Sequence, residues 1–185
     1  MRASGRSSLL LILALLGAAA AARAATEVSV RRRPDKIYEV AGHFAVQAST
    51  TAVWGVLTDY DHIPAFVSSM RSSKVRETRA DGSLLVEQRA VGDMFFLSKS
   101  MDVLLEVRRS PDALRFEDVG RSDFRSYAGG WDVAATPEGA DVGYRLLARP
   151  DFSAPSFFMG KAMKKNVRQL LDQVRVEILR RGSAR

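Results

Sequence analysis

The chain has 185 residues, no cysteine, and 28 Lys and Arg against 21 Asp and Glu. Without cysteine it has no disulfide, no thiolate metal site and no thiol nucleophile. Its formal charge of +7 falls to +4 when residues 1–24 are set aside (25 basic against 21 acidic), a mild excess far from the footprint of a nucleic-acid binder.

Those first residues read as a signal peptide. Arg2 and Arg6 precede an apolar run, Leu9 to Ala22, whose 14 residues are too few to span a bilayer as a helix. Ala22-Arg23-Ala24 has the small-x-small pattern cut by signal peptidases, which places cleavage before Ala25 and the product in the periplasm or outside the cell. An uncleaved membrane anchor is the alternative. The 161 residues that remain make one domain, long enough for a core without staples, and we read it as a monomer.

Residues 25–35 read as an exposed lead-in that carries Arg31-Arg32-Arg33 and ends at Pro34. Ile37 to Gln47 alternates imperfectly, as a strand. Ser49 or Thr50 then caps a short helix through Leu57. The cluster Asp59-Tyr60-Asp61-His62 follows, with Asp61 as the cap of a second short helix and Pro64 in its first turn. Six strand-like segments come next. Asp81-Gly82, Gly92-Asp93, Ser110-Pro111-Asp112, Gly120-Arg121-Ser122 and Pro137-Glu138-Gly139 separate them as turns, so neighbours pair antiparallel. After Pro155, Met159, Met163, Val167, Leu170, Leu171, Val174 and Ile178 recur at helical spacing as one apolar stripe. The fold class is α+β, a curved seven-stranded antiparallel sheet wrapped around a long C-terminal helix that buries its apolar face.

Ala52 to Asp61 (AVWGVLTDYD) followed by Ile63-Pro64-Ala65-Phe66-Val67 resembles the first-helix signature of the START-like (SRPBCC) superfamily. More narrowly, it resembles the polyketide cyclase/dehydrase and coenzyme Q-binding START group. Leu85-Val86-Glu87-Gln88, Val103 to Val107, Phe124 to Trp131 around Gly129-Gly130, and Tyr144 to Pro150 add to the resemblance, which covers residues 36–181 and leaves 182–185 as a basic tail. It implies the helix-grip (START/Bet v 1-like) fold with an elongated apolar cavity between sheet and last helix, and a lipophilic ligand such as a sterol, phospholipid, quinone or polyketide. Catalytic residues differ between subgroups of the family, so none is carried over.

Four residues in a turn usually diverge, and no second His- or carboxylate-rich segment completes a metal shell, so Asp59 to His62 read as caps and a joint. A hydrolytic triad would need His43 or His62 as base, and no nucleophile elbow accompanies them. By the resemblance the joint lies near one end of the cavity, where Tyr60 and Phe66 would gate it. Lys99 interrupts the inward face of Phe95–Val107. An end position, a carboxylate partner, an acidic ligand head group or a register-flipping bulge would each explain it. Among the aromatics and methionines, Met101, Phe116, Tyr127, Trp131, Tyr144, Met159 and Met163 are the candidate lining residues. The reading is therefore a carrier of a hydrophobic small molecule that requires no metal or covalent cofactor. One rival is a cyclase or dehydratase that draws on Lys99, Glu87, Asp118, Tyr127 or Tyr144. The other is a surface-interaction protein with a packed core. Residues 161–185 hold eight basic against two acidic side chains, which serve either as a solvated helix face or as a docking face for anionic lipid.

Overall fold

The computed structural model describes residues 26–94, 97–152 and 155–183. The segment read as a signal peptide, with its expected cleavage site, and Phe95 and Phe96 lie outside the described residues.

In chain order, β1 (Glu27–Arg32) and a turn of 3-10 helix (Pro34–Lys36) lead into β2 (Tyr38–Val46). Helix α1 (Thr50–Leu57), a 3-10 turn (Tyr60–His62) and α2 (Ile63–Phe66) follow. Then come β3 (Met70–Thr78), β4 (Leu84–Met94), β5 (Leu97–Arg109), β6 (Ala113–Asp118), β7 (Phe124–Thr136), β8 (Gly139–Pro150) and α3 (Ser156–Gly182). All neighbours are antiparallel, in the order β1-β2-β8-β7-β6-β5-β4-β3. Among the described residues the sheet has eight strands rather than seven.

The additional strand is β1, cut from the segment read as an exposed lead-in. Val28 alternates with exposed Glu27 and Ser29 and is buried, and Thr26 Oγ1 donates to Asp172 of α3 at 2.5 Å. The alternation is too short to stand out beside the three arginines. Strand β2 alternates fully once the structure shows its inward face: Tyr38, Val40, Gly42, Phe44 and Val46. Gly42 hides the pattern because it contributes no side chain. A Cβ there would lie 2.3 Å from Leu171 Cδ1, so the glycine is what lets α3 sit down on the strand.

Ser49 caps α1 by accepting from Ala52 N at 3.2 Å. Asp61, however, caps nothing on α2. Its Oδ1 accepts from Val75 N, beside a register shift in edge strand β3. Gly92-Asp93 is not a turn either, since pairing continues through Gly92↔Lys99 and Asp93↔Ser98 to Met94↔Leu97. Helix α3 packs on β1, β2, β4 and α1, and buries Val167, Leu171, Val174 and Ile178 against Val40, Phe44 and Val142.

The far end of α3 is tied to the α1–α2 joint by charge. Glu177 accepts from Arg180 Nε and Nη2, both at 2.7 Å, and from Arg181 Nε at 2.6 Å, while Arg181 Nη1 donates to Asp59 at 2.7 Å. The Arg180 hydrogen bonds outweigh burial, and with Arg181 they draw the Glu177 carboxyl down to about 2. Because the folded pKa is depressed, the stabilisation is complete above the ordinary Glu range and drains away as pH falls from there towards 2. Thermal melts from pH 7 to pH 2.5 should therefore show a shallower acid limb for Glu177→Gln than for wild type. Superimposable limbs would show that the network contributes nothing.

Candidate functional site: a cavity beside the first half of α3

The helix stripe continues below Val167 with Met163, Ala162 and Met159, but here the sheet does not close against it. A cavity of about 180 Å³ opens between these residues, Asn166 and Leu170 on one side and the sheet on the other. The sheet side comprises Ala90 to Gly92 of β4, Met101 of β5, Phe124 and Tyr127 of β7, and Leu146, Ala148 and Pro150 of β8. Val67, Ser69 and Met70 close one end, and Phe152 stands in the wall just ahead of α3. Gly92 faces inward, and a Cβ there would meet Met101 Cε at 2.7 Å and Asn166 Nδ2 at 3.4 Å. A glycine with turn chemistry in the sequence is thus a space-making residue in the wall.

The polar contribution is small and uncharged. Ser69, Asn166 and Tyr127 are the polar side chains of the wall among the described residues. The hydroxyls of Tyr127 and Tyr144 share a hydrogen bond, and burial pushes both phenols upward, so both stay protonated across the physiological range.

Of the candidate lining residues, the structure brings Met101, Tyr127, Met159 and Met163 together in this wall. Phe116, Trp131 and Tyr144 lie behind it in packed core, as an aromatic series that reaches the wall through Tyr127. Ring centroids are 4.6 Å apart for Trp131–Tyr144, 6.4 Å for Tyr144–Phe116, 5.8 Å for Phe116–Tyr127 and 4.8 Å for Tyr127–Phe124. The cause is Gly129, paired with Phe116 across the strands. A Cβ there would stand 2.8 Å from Phe116 Cζ, so the ring fills the space that the glycine leaves.

Lys99 is not in the wall. Its Nζ donates to Asp123 Oδ1 at 2.6 Å and sits 4.5 Å from the ring centre of Phe152. A carboxylate partner at the end of an unbulged strand thus accounts for its inward position. The Lys99 hydrogen bond, aided by Asp102 N, holds the Asp123 carboxyl below the usual carboxylate range.

Neither Tyr60 nor Phe66 is among the residues of the cavity wall. Tyr60 is buried at the α1–α2 joint, and that burial pushes its phenol up to about 12. Phe66 packs under Arg181, 5.6 Å from its ring centre. Its chain neighbour Val67 is in the wall, but the Phe66 side chain is not. Around the joint, His62 Nδ1 lies 2.6 Å from Asp59 Oδ1. Burial pushes Asp59 up, but hydrogen bonds from His62 and Arg181 win and lower it. His43 sits apart on the sheet, 3.5 Å from Asp141. Among the described residues no group of three or more His, Cys, Asp or Glu converges to hold a metal ion. Two further acid-base candidates are engaged elsewhere. Glu87 accepts from Arg76 in solvent, and Asp118 accepts from Leu104 N, Gly120 N and Arg121 N.

Sequence reasoning missed Asn166, Ser69, Gly92, Phe124 and Phe152. Asn166 left a signal, because it is an amide set among the apolar positions Met163, Val167 and Leu170 of the stripe.

A long helix gripped by an antiparallel sheet, with an apolar cavity between them, defines a START-like helix-grip protein. The chain belongs to the family described as polyketide cyclase / dehydrase and lipid transport, whose model matches residues 38–179. No curated protein matches the sequence. Among solved structures, it is similar to a STAR-related lipid transfer protein from Xanthomonas axonopodis (TM-score 0.66, 18% identity, covering 83% of this chain and 93% of that one). It is also similar to human StAR-related lipid transfer protein 5 (TM-score 0.67, 9% identity, 84% and 83%). A third is the Zhui aromatase/cyclase from Streptomyces sp. R1128 (TM-score 0.65, 12% identity, 78% and 95%).

Proposed function

We propose that the protein is an exported carrier that binds a lipophilic small molecule in the cavity beside α3. The observation that carries this reading is the composition of the wall: it is apolar, broken by three neutral polar side chains, and holds no ionised group among the described residues. Burying apolar ligand surface there contributes about 25 cal/mol per Å² removed from water. An ionised head group would lose its hydration and find no opposite charge. The ligand's polar end is therefore a neutral oxygen function, a carbonyl, ester or hydroxyl, held by Asn166, Ser69 or Tyr127. About 180 Å³ is close to the ~150 Å³ of a dry protein cavity that accepts benzene, so one ring or a short acyl segment fits as the cavity stands. Longer ligands require the Met101, Met159 and Met163 side chains to move, which three-torsion thioethers do readily.

A second reading, a cyclase or dehydratase on a hydrophobic substrate, draws on the Tyr127–Tyr144 pair at the wall and on the fold shared with an aromatase/cyclase. Mild extraction from the native host, followed by mass spectrometry of copurifying molecules and of the same sample after incubation, separates the two. Unchanged neutral lipid in stoichiometric amount supports the carrier. A converted product supports the enzyme, and protein that carries nothing and takes up no lipid added afterwards overturns both.

A further inference from the structure

The first two turns of α3 present a second face, directed away from the cavity. Phe157 is 64% exposed and Phe158 39%, and their rings meet edge to face with centroids 5.6 Å apart. Lys161 Nζ stands 4.1 Å from the centre of the Phe157 ring. Phe157, Lys161 and Lys164 follow one another at helical spacing along a groove of about 310 Å³, whose other bank is Val30, Arg32 and Tyr38 of β1 and β2. No carboxylate lines this groove among the described residues, and neither Arg32 nor Lys164 has an acidic partner there. Elsewhere on the surface Arg76, Arg89, Arg108, Arg115 and Arg125 are each paired with a carboxylate. Two adjacent exposed aromatics thus stand on the same turns of α3 as the cavity residues Met159 and Ala162, flanked by Lys161 and Lys164 on the helix and by Arg32 across the groove.

We propose that this end of the molecule docks on an anionic lipid bilayer. Lipid phosphates sit in the groove among Arg32, Lys161 and Lys164, and the Phe157 and Phe158 rings enter the headgroup boundary. A pair of exposed phenylalanines suits the zone between water and acyl chains, where burial of the rings adds to the attraction of the cations. Solvated lysines alone would explain the charge but not the aromatic pair beside it. Docking in this pose brings the N-terminal turns of α3, which carry the wall residues Met159 and Ala162 on their other side, to the membrane, where a lipophilic ligand resides. The inference goes beyond the carrier reading and does not depend on it, because vesicle binding is measured without any cavity ligand.

The test is flotation of the purified protein with phosphatidylcholine vesicles, with and without phosphatidylglycerol, across a salt series. The wild type should float with phosphatidylglycerol vesicles at low salt and release as screening rises. Each cation lost should weaken binding about fivefold, so Lys161→Gln with Lys164→Gln should reduce it roughly 25-fold. Phe157→Ala with Phe158→Ala should reduce it roughly tenfold and leave the salt dependence in place. Arg71→Gln with Lys74→Gln, the same charge change on edge strand β3, should bind as wild type. Thermal melts of all variants confirm folding, since every substituted side chain is at the surface. Equal binding to both vesicle types overturns the proposal. So does unchanged binding of either α3 variant, or a Phe157/Phe158 patch that mediates self-association instead.

Discussion

Ala162→Phe should abolish binding of the apolar ligand and leave the protein folded. Ala162 is a nearly buried wall residue on α3, and the new ring would project into a cavity of about 180 Å³, which accepts a ring of that size. Replacing roughly 120 Å² of ligand contact by the protein's own ring removes about 3 kcal/mol, on the order of a hundredfold in affinity. The fold should tolerate this because the space is empty, so the melting temperature should move by less than about 4 °C. Titration with a fluorescent acyl probe measures the first quantity and calorimetry the second. A folded variant that binds the probe as well as wild type would place the ligand somewhere other than beside α3.

Leu171→Ala should have the opposite pattern, with a large loss of stability and little direct effect on the cavity. Leu171 is 0% exposed, lies outside the wall, and its Cδ1 occupies the place that a Cβ on Gly42 would take. Deleting a fully buried leucine from a close-packed interface costs about 2–5 kcal/mol, which for a chain of this size is roughly 5–20 °C in melting temperature. The close approach also predicts coupling. Gly42→Ala should destabilise the wild type, because the methyl and Leu171 collide. In the Leu171→Ala background the same methyl fills part of the hole and should be neutral or stabilising. Additive effects of the two substitutions would show that α3 does not rest on β2 as described.

The elements legible in the sequence were those with long periodic patterns. The stripe from Met159 to Ile178 names α3, and successive alternating segments joined by turn residues name the meander. What stayed hidden depended on partners distant in the chain. Val28 becomes a strand residue only because β2 and α3 are there to cover it. Gly42 and Gly92 are inward positions with no side chain, so one looks like a gap in the pattern and the other like a turn. The site was legible in part for the same reason. Methionines on the helix stripe and on the inward face of β5 point to the interior, and the structure gathers Met101, Met159 and Met163 around one cavity. Trp131, Tyr144 and Phe116 point inward too. Whether an inward aromatic lines a cavity or fills it is decided by what faces it, and opposite Phe116 stands Gly129. Tyr60 and Phe66 drew attention because the Asp59 to His62 cluster between two short helices looks like chemistry. Its polar groups instead tie α1, α2 and β3 to one another and to Arg181 at the far end of α3.

The most direct test of the central claim uses the methionine methyl groups as reporters. Met70, Met101, Met159 and Met163 all stand in the cavity wall and, with two others, make up the methionines of the chain. With carbon-13 methyl-labelled protein, titration with a neutral acyl ester should shift or broaden all four wall signals together and saturate at one equivalent. Saturable binding that leaves the Met101, Met159 and Met163 methyls unmoved would contradict a ligand site between α3 and the sheet.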